Sequence, residues 1–214
     1  MTAADRAPPY LLAGVLALLA LSGIAPQTDR LTWLLETAPV MIGAVLLVAT
    51  WRRFPLTPLL SGLIAAHAVI LIVGGYWSYS EVPLFNWLRD GFDWTRNHYD
   101  RVGHLAQGFV PAILAREILL RRSPLRPGEW LFFLVLCVCL AFSAFYELVE
   151  WWSSVLLGDG ATAFLGTQGD SWDTQWDMWL ALLGATASLL LLSGVHDRQL
   201  AARGWLPHRH ADPA

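Results

Sequence analysis

Apolar residues fall in six blocks along the chain: residues 10–24, 31–50, 58–79, 103–120, 130–152 and 174–195. A helix needs about 20 mainly apolar residues to cross the hydrocarbon core of a bilayer. Each block meets or approaches that length. The pattern therefore predicts an all-α, polytopic membrane protein, a single domain with six transmembrane helices. The first block is short and follows Arg6, which makes a cleaved signal peptide the rival reading. Pro26 would follow a cut after Ala25 and fits it poorly, so an uncleaved first helix is expected.

Two longer connections interrupt the pattern. Residues 80–100 contain Pro83, Phe85, Trp87, Leu88 and Phe92, as expected of a short helix lying in the membrane interface. Residues 153–173 contain Gly158-Asp-Gly160 and Phe164-Leu-Gly-Thr-Gln-Gly-Asp170. Glycines permit tight turns, and loops held over rigid helices often carry function. The polar tail with His208-Arg-His210 reads as a disordered end.

Composition agrees with the membrane assignment: 56% of the residues are hydrophobic and only 14% charged, with a mean hydropathy of +0.47. Soluble domains carry roughly 25% charged residues. The net charge of −3 offers no basic field for a nucleic-acid partner, and none is expected. Cys137 and Cys139 point to different sides of a helix and read as small apolar filler.

Sorted by loop, the charges become informative. All 14 basic residues are Arg. Ten of them, including Arg52, Arg53, Arg116, Arg121, Arg122 and Arg126, fall on the side of the even-numbered loops and both termini. The positive-inside rule then puts both termini in the cytoplasm. Twelve acids and four arginines lie on the outer half, a balance of −8, against +5 on the inner half. Nine of the 12 tryptophans also fall at the outer ends, more than a two-sided interfacial belt requires. Some of that excess is expected to line a headgroup or sugar pocket.

The candidate chemistry sits on three helix ends that this topology places together. Asp100 and His104 share one face of the fourth helix, with Gln107 on the same stripe. Ser143, Glu147 and Glu150 share a face of the fifth helix, and Asp170, Asp173 and Asp177 one of the sixth. Clustered acids at apolar helix ends repel one another, and a bound cation, protonation of some of them or hydrogen bonds across helices relieves that. Without metal, Glu147 would be a general acid and His104 the base. Oxygen ligands with one imidazole suit Mg²⁺, Mn²⁺, Zn²⁺ or Fe²⁺. The metal ligands expected are His104, Glu147, Glu150, Asp173 and Asp177, with Asp100, His104, Glu147 and Asp177 as catalytic residues.

Plainer roles stand beside these. Asp170 and Asp173 suit the N-terminal cap of the sixth helix, and Asp100 that of the fourth, with Arg101 on lipid phosphate. His104 alone would read as a hydrogen-bonded packing residue. Glu147 and Asp177 lie deepest, where acids are functional candidates by default. Glu36 stands within reach of the cluster, and Glu117 pairs with Arg121 as a structural contact. His67 reads as an interhelical hydrogen-bond donor, Gly62-x-x-x-Ala66 and Gly184-x-x-x-Ser188 as packing faces, and Pro111 as a kink.

Three stretches carry a resemblance: Tyr99-Asp-Arg-Val-Gly-His104 with Gln107-Gly108, Phe142-Ser-Ala-Phe-Tyr-Glu-Leu-Val-Glu-Trp151, and the run from Phe164 to Met178. They resemble the YjdF-like family of bacterial inner-membrane proteins along essentially the whole chain. An Asp-x-x-x-His, a later Glu and a final Asp-bearing helix more distantly resemble the VanZ-like group, one type of which is linked to glycopeptide-antibiotic resistance. The resemblance implies a compartment, the inner membrane, and no reaction.

The expectation is thus a multi-pass inner-membrane protein with an acidic, His-bearing pocket facing the periplasm or exterior. Its partners are membrane lipids. The leading activity is a metal-assisted enzyme acting on a lipid or lipid-linked envelope substrate. A binding or transport protein for a cation or amine, or a structural membrane partner, is the alternative.

Overall fold

The computed structural model describes residues 3–158, 164 and 166–206, with side chains from residue 9 onward. Asp5 and Arg6 are described in backbone only, and Asp159, Gly160, Leu165, Asp212 and the His208-Arg-His210 tail lie outside the described residues. Seven principal helices make up the described chain: α1 (Ala3–Ile24), α2 (Arg30–Thr50), α3 (Pro58–Trp77), α4 (Pro83–Gly91), α5 (Tyr99–Arg122), α6 (Glu129–Leu157) and α7 (Asp173–Ala202). The all-α class follows the apolar periodicity. α4 occupies the 80–100 connection.

Local chemistry sets several of the boundaries. Asp29 caps α2 by accepting from the backbone N–H groups of Leu31 and Thr32 at 2.9 and 3.0 Å. Thr57 caps α3, with Pro58 supplying the first-turn φ. Pro39 and Pro111 sit inside α2 and α5.

The helices form two groups. Val15, Leu19, Val40, Ala68 and Ile72 make a core among α1, α2 and α3. A second core, including Ala112, Leu131, Val135, Cys139, Ala185 and Leu189, joins α5, α6 and α7. α3 packs against α5 and links the two. Both cysteines are free, Cys139 buried and Cys137 exposed, as apolar filler requires.

Beside these apolar cores the bundle buries many polar side chains while exposing large apolar ones, the arrangement expected where the surroundings are hydrocarbon. Val45, Leu190 and Leu191 are largely exposed, whereas Thr37, Asn97, Glu117, Asp177 and His196 are buried. Four helices, α2, α3, α6 and α7, are long and apolar enough to cross a membrane, and Pro9–Ile24 is a shorter apolar helix. α5 is not among them, although a span was expected at 103–120. It carries Asp100, Arg101, His104, Gln107, Arg116 and Glu117, and more than half of its residues are buried against its neighbours. Most of these polar side chains are buried against protein.

Two expected details are corrected. Gly62 has open space where a side chain would stand, and Ala66 is exposed, so among the described residues no helix of this chain packs on that small-residue pair. His67 has a buried Nε2 with no hydrogen-bond partner rather than an interhelical bond.

Candidate functional site

α5 and α7 run in the same direction and meet more closely than any other pair of helices. Gly108 and Gly184 are the reason. A Cβ on Gly108 would collide with the Ala181 carbonyl, and one on Gly184 with the Leu105 carbonyl. This second contact agrees with the packing role expected of Gly184, and Ser188 in the same motif is fully buried. The seam fixes the register of the two helices. At one end it brings Asp100 and His104 against Asp177. At the other it brings Arg116 and Glu117 against His196.

At the first end, one ligand atom from each of Asp100, His104 and Asp177 lies within 4.8 Å of the other two. His104 Nε2 is 3.4 Å from Asp100 Oδ1 and 3.9 Å from Asp177 Oδ2. On the far side of the ring, Nδ1 is 2.9 Å from Gln107 Oε1. An amide oxygen can only accept, so the ring donates from Nδ1 and presents Nε2 to the two carboxylates. Glu147 comes from α6, its Oε1 3.8 Å from His104 Nδ1.

Two oxygens here are left over. Asp177 Oδ1 and Glu147 Oε1 are buried and have no hydrogen-bond partner. Asp177 is only 1% exposed and Glu147 9%. A buried carboxylate oxygen without a partner costs stability unless a proton, a water or an ion satisfies it. Glu150 is buried a turn farther along α6, and Ser143 Oγ, a turn before Glu147, is also unpartnered. Tyr146 sets its ring edge-on to His104 with centroids 6.3 Å apart, and packs in turn on Phe164.

Asp173 is differently engaged. It accepts from Arg96, a residue that the sequence reading counted only as an outer-loop charge. Arg96 is 4% exposed and reaches Asp100 Oδ2 at 3.5 Å, Asp170 Oδ2 at 3.6 Å and the Gly166 carbonyl at 3.2 Å. One guanidinium thus ties the start of α7 and the 166–170 turn to α5. Its spacing from Asp100, one helical turn, was the available signal. Asn97 adds a second tie, exchanging hydrogen bonds with the Gln168 side chain through its backbone N–H and carbonyl.

Arg101 pairs with Asp170 at 2.8 Å and lies over the Trp176 ring, 5.1 Å from its centroid. Asp170 also accepts from the Trp172 N–H at 2.9 Å within the turn before α7. Neither α7 nor α5 has a side-chain N-cap, so the capping roles expected of Asp170, Asp173 and Asp100 are not what these residues do. His98, just before α5, has its pKa held below the ordinary histidine value by burial first and then by Arg101 and Arg96. Glu36 of α2 is buried beside this end, 3.4 Å from both Ser78 Oγ and the Tyr79 N–H, with Oε2 unpartnered.

At the opposite end, Glu117 is fully buried and fully engaged. It accepts from Thr57 Oγ1 at 2.7 Å, Arg121 at 2.7 Å and His196 Nε2 at 3.0 Å. His196 Nδ1 then takes a hydrogen bond from Arg116, which also pairs with Asp197 at 2.6 Å. The Glu117–Arg121 pair was legible as a structural contact. The histidine between Glu117 and Arg116 was not, because nothing in the sequence marks which helix faces meet.

Residues 7–198 match the family described as "Predicted membrane protein (DUF2238)", and the chain belongs to it. The chain is 53% identical over 176 residues to the inner membrane protein YjdF of Escherichia coli (strain K12), covering 82% of this chain and 84% of that protein. The YjdF-like resemblance is thereby established, and the chain is a multi-pass inner-membrane protein. No solved structure matches it.

Proposed function

We propose that this member of the DUF2238 family is a six-span protein with both termini in the cytoplasm, whose outward-facing end holds a divalent cation. Asp100, His104 and Asp177 are the ligands, with Glu147 beside them. Its activity is metal-assisted chemistry on a lipid or lipid-linked envelope substrate at the outer leaflet. The carrying observation is the buried convergence of His104 Nε2 with Asp100 and Asp177, next to the unpartnered Asp177 Oδ1 and Glu147 Oε1. A cation between His104 Nε2 and the two aspartates would answer the Asp100 and Asp177 carboxylates, and Gln107 orients the imidazole from behind.

α5 crosses the membrane in this reading because the other helices enclose its polar face. The arginine distribution sets the orientation. A cation in the site would polarise a phosphoryl or acyl oxygen or activate water. Glu147, adjacent to His104 and without a hydrogen bond on Oε1, is positioned to exchange a proton with substrate. Glu150 and Asp173 flank the ligand set, and Asp173 orients the site through Arg96.

The alternative is a transport protein for a cation or amine, which needs a polar path between the two ends. The backbone-to-glycine contacts of Gly108 and Gly184 close the α5–α7 seam midway and favour a static site. Metal analysis of the purified protein tests the proposal. Bound divalent metal, lost in Asp177→Asn and His104→Ala with the protein still folded, is the expected result. An intact protein with no affinity for Mg²⁺, Mn²⁺, Zn²⁺ or Fe²⁺ overturns it. Comparing lipid extracts of deletion and parent strains then identifies the substrate. Alanine at Glu147 should abolish its turnover, and retained turnover removes Glu147 from the chemistry.

A further inference from the structure

A cavity of about 280 Å³ opens beside the Asp/His cluster, lined by Arg96, His98, Arg101, Gln168 and Asp170 among others. Its two guanidiniums come from opposite sides of the start of α5. Both belong to residues already tied to the cluster: Arg96 reaches Asp100, and Arg101 lies over Trp176, the neighbour of Asp177. The Nε atoms of both arginines lack an acceptor but are themselves sealed from solvent, so the guanidinium most open to the cavity is that of Arg101, its side chain 22% exposed. An anionic oxygen is the strongest partner of a guanidinium. Asp170 now supplies the negative charge between the two, at 2.8 Å from Arg101 and 3.6 Å from Arg96.

We infer that this cavity binds a phosphate-bearing group, with Arg96 and Arg101 as its donors. The inference rests on the reading of this end as a site and names the chemical class of what the site takes. Planar guanidiniums suit phosphate because they donate two hydrogen bonds in a fixed fork. The N-termini of α5 and α7 converge at the same end and add favourable dipoles. A cation on Asp100, His104 and Asp177 would lower the negative charge that otherwise opposes an incoming anion. Trp94, Trp172 and Trp176, close in sequence to the lining residues or in contact with Arg101, are exposed, as expected at headgroup depth. A phosphate there lies within reach of the cluster without entering the hydrocarbon.

The test titrates three probes into the purified full-length protein: a short-chain phosphatidic acid, the matching diacylglycerol without phosphate, and inorganic phosphate. Phosphatidic acid binding, with diacylglycerol failing, is the expected result. In Arg101→Gln that affinity should fall about tenfold or more, as for a lost charge-assisted hydrogen bond, and Arg101→Lys should recover part of it. If inorganic phosphate binds as tightly as the lipid, the anion site stands and its ligand is a soluble phosphate. Equal binding of diacylglycerol, or unchanged affinity in Arg101→Gln, overturns the inference. Metal content measured in the same Arg101→Gln preparation separates the two proposals, because loss of phosphate binding with metal retained concerns this cavity alone.

Discussion

Arg96 donates to Asp173 across 77 residues of sequence, and both side chains are buried. The pair fastens the start of α7 to the segment leading into α5. Because the same guanidinium also contacts Asp100, it couples the fold of this end to the orientation of a ligand carboxylate.

Removing that guanidinium should therefore have two effects. Arg96→Gln leaves Asp173 and Asp100 buried without their cation, a change that destabilises by about 3–5 kcal/mol. Thermal unfolding in detergent measures it. In protein that remains folded, affinity for divalent metal should drop by roughly 10–100-fold, as for loss of an outer partner of a metal ligand.

Gln107 offers a milder test of the histidine's orientation. Gln107→Leu removes the acceptor at His104 Nδ1 while keeping the volume similar. Metal affinity should fall by roughly tenfold or more with little change in expression. An unchanged affinity would show that the ring is held by packing alone.

The two glycine motifs should behave oppositely. Gly184→Ala forces a Cβ against the Leu105 carbonyl and should cost about 1–3 kcal/mol or more, since the obstacle is backbone. Gly62→Ala meets open space on a helix and should be neutral or slightly stabilising. Melting temperatures of the two variants decide it.

The opposite end of the bundle should be structural. Glu117→Ala strips Arg121, Thr57 and His196 of a shared acceptor and should lower stability by about 3–5 kcal/mol. Metal affinity of the folded fraction should stay at the wild-type value. A selective loss of metal without a stability change would contradict this division of roles.

Asp29 supplies a pH dependence outside the membrane spans. Hydrogen bonds from Thr32, side chain first and then backbone, hold its pKa below the ordinary value of 3.8, more than offsetting burial. A depressed carboxylate stabilises the fold above its unfolded pKa, and that contribution is lost as pH falls through the folded value. Asp29→Ala should cost on the order of 1 kcal/mol at neutral pH, as for a helix cap, and should flatten stability between pH 5 and the acid limit. Acid titration of unfolding for both proteins checks the sign.

Much of the architecture was legible because hydrocarbon imposes a simple rule on sequence. Blocks of apolar residues can only be helices in a bilayer, and the apolar outer faces of α2, α3, α6 and α7 follow from it. α5 shows where the rule weakens. Its block was recognisable by length, but its polar residues belong to an interior that hydropathy does not describe.

The candidate site was legible for a related reason. Asp100, His104, Glu147 and Asp177 are costly residues at apolar helix ends, and helical spacing puts each set on one face. Which of them meet was not legible. Asp173 has the same sequence pattern as Asp177 yet turns to Arg96, and Glu36 stands beside the cluster with Ser78 and Tyr79 as its partners.

The sequence alone thus determined the class, the apolar segments and the shortlist of acids, because burial of charge in a membrane is expensive and therefore conspicuous. Only the tertiary structure decided how α5 and α7 are rotated against each other. That rotation depends on two glycines whose missing side chains let backbone touch backbone. It places Asp177 against His104 at one end and His196 against Glu117 at the other. A pattern along one chain records which faces are polar, and the contact between helices determines what those faces meet.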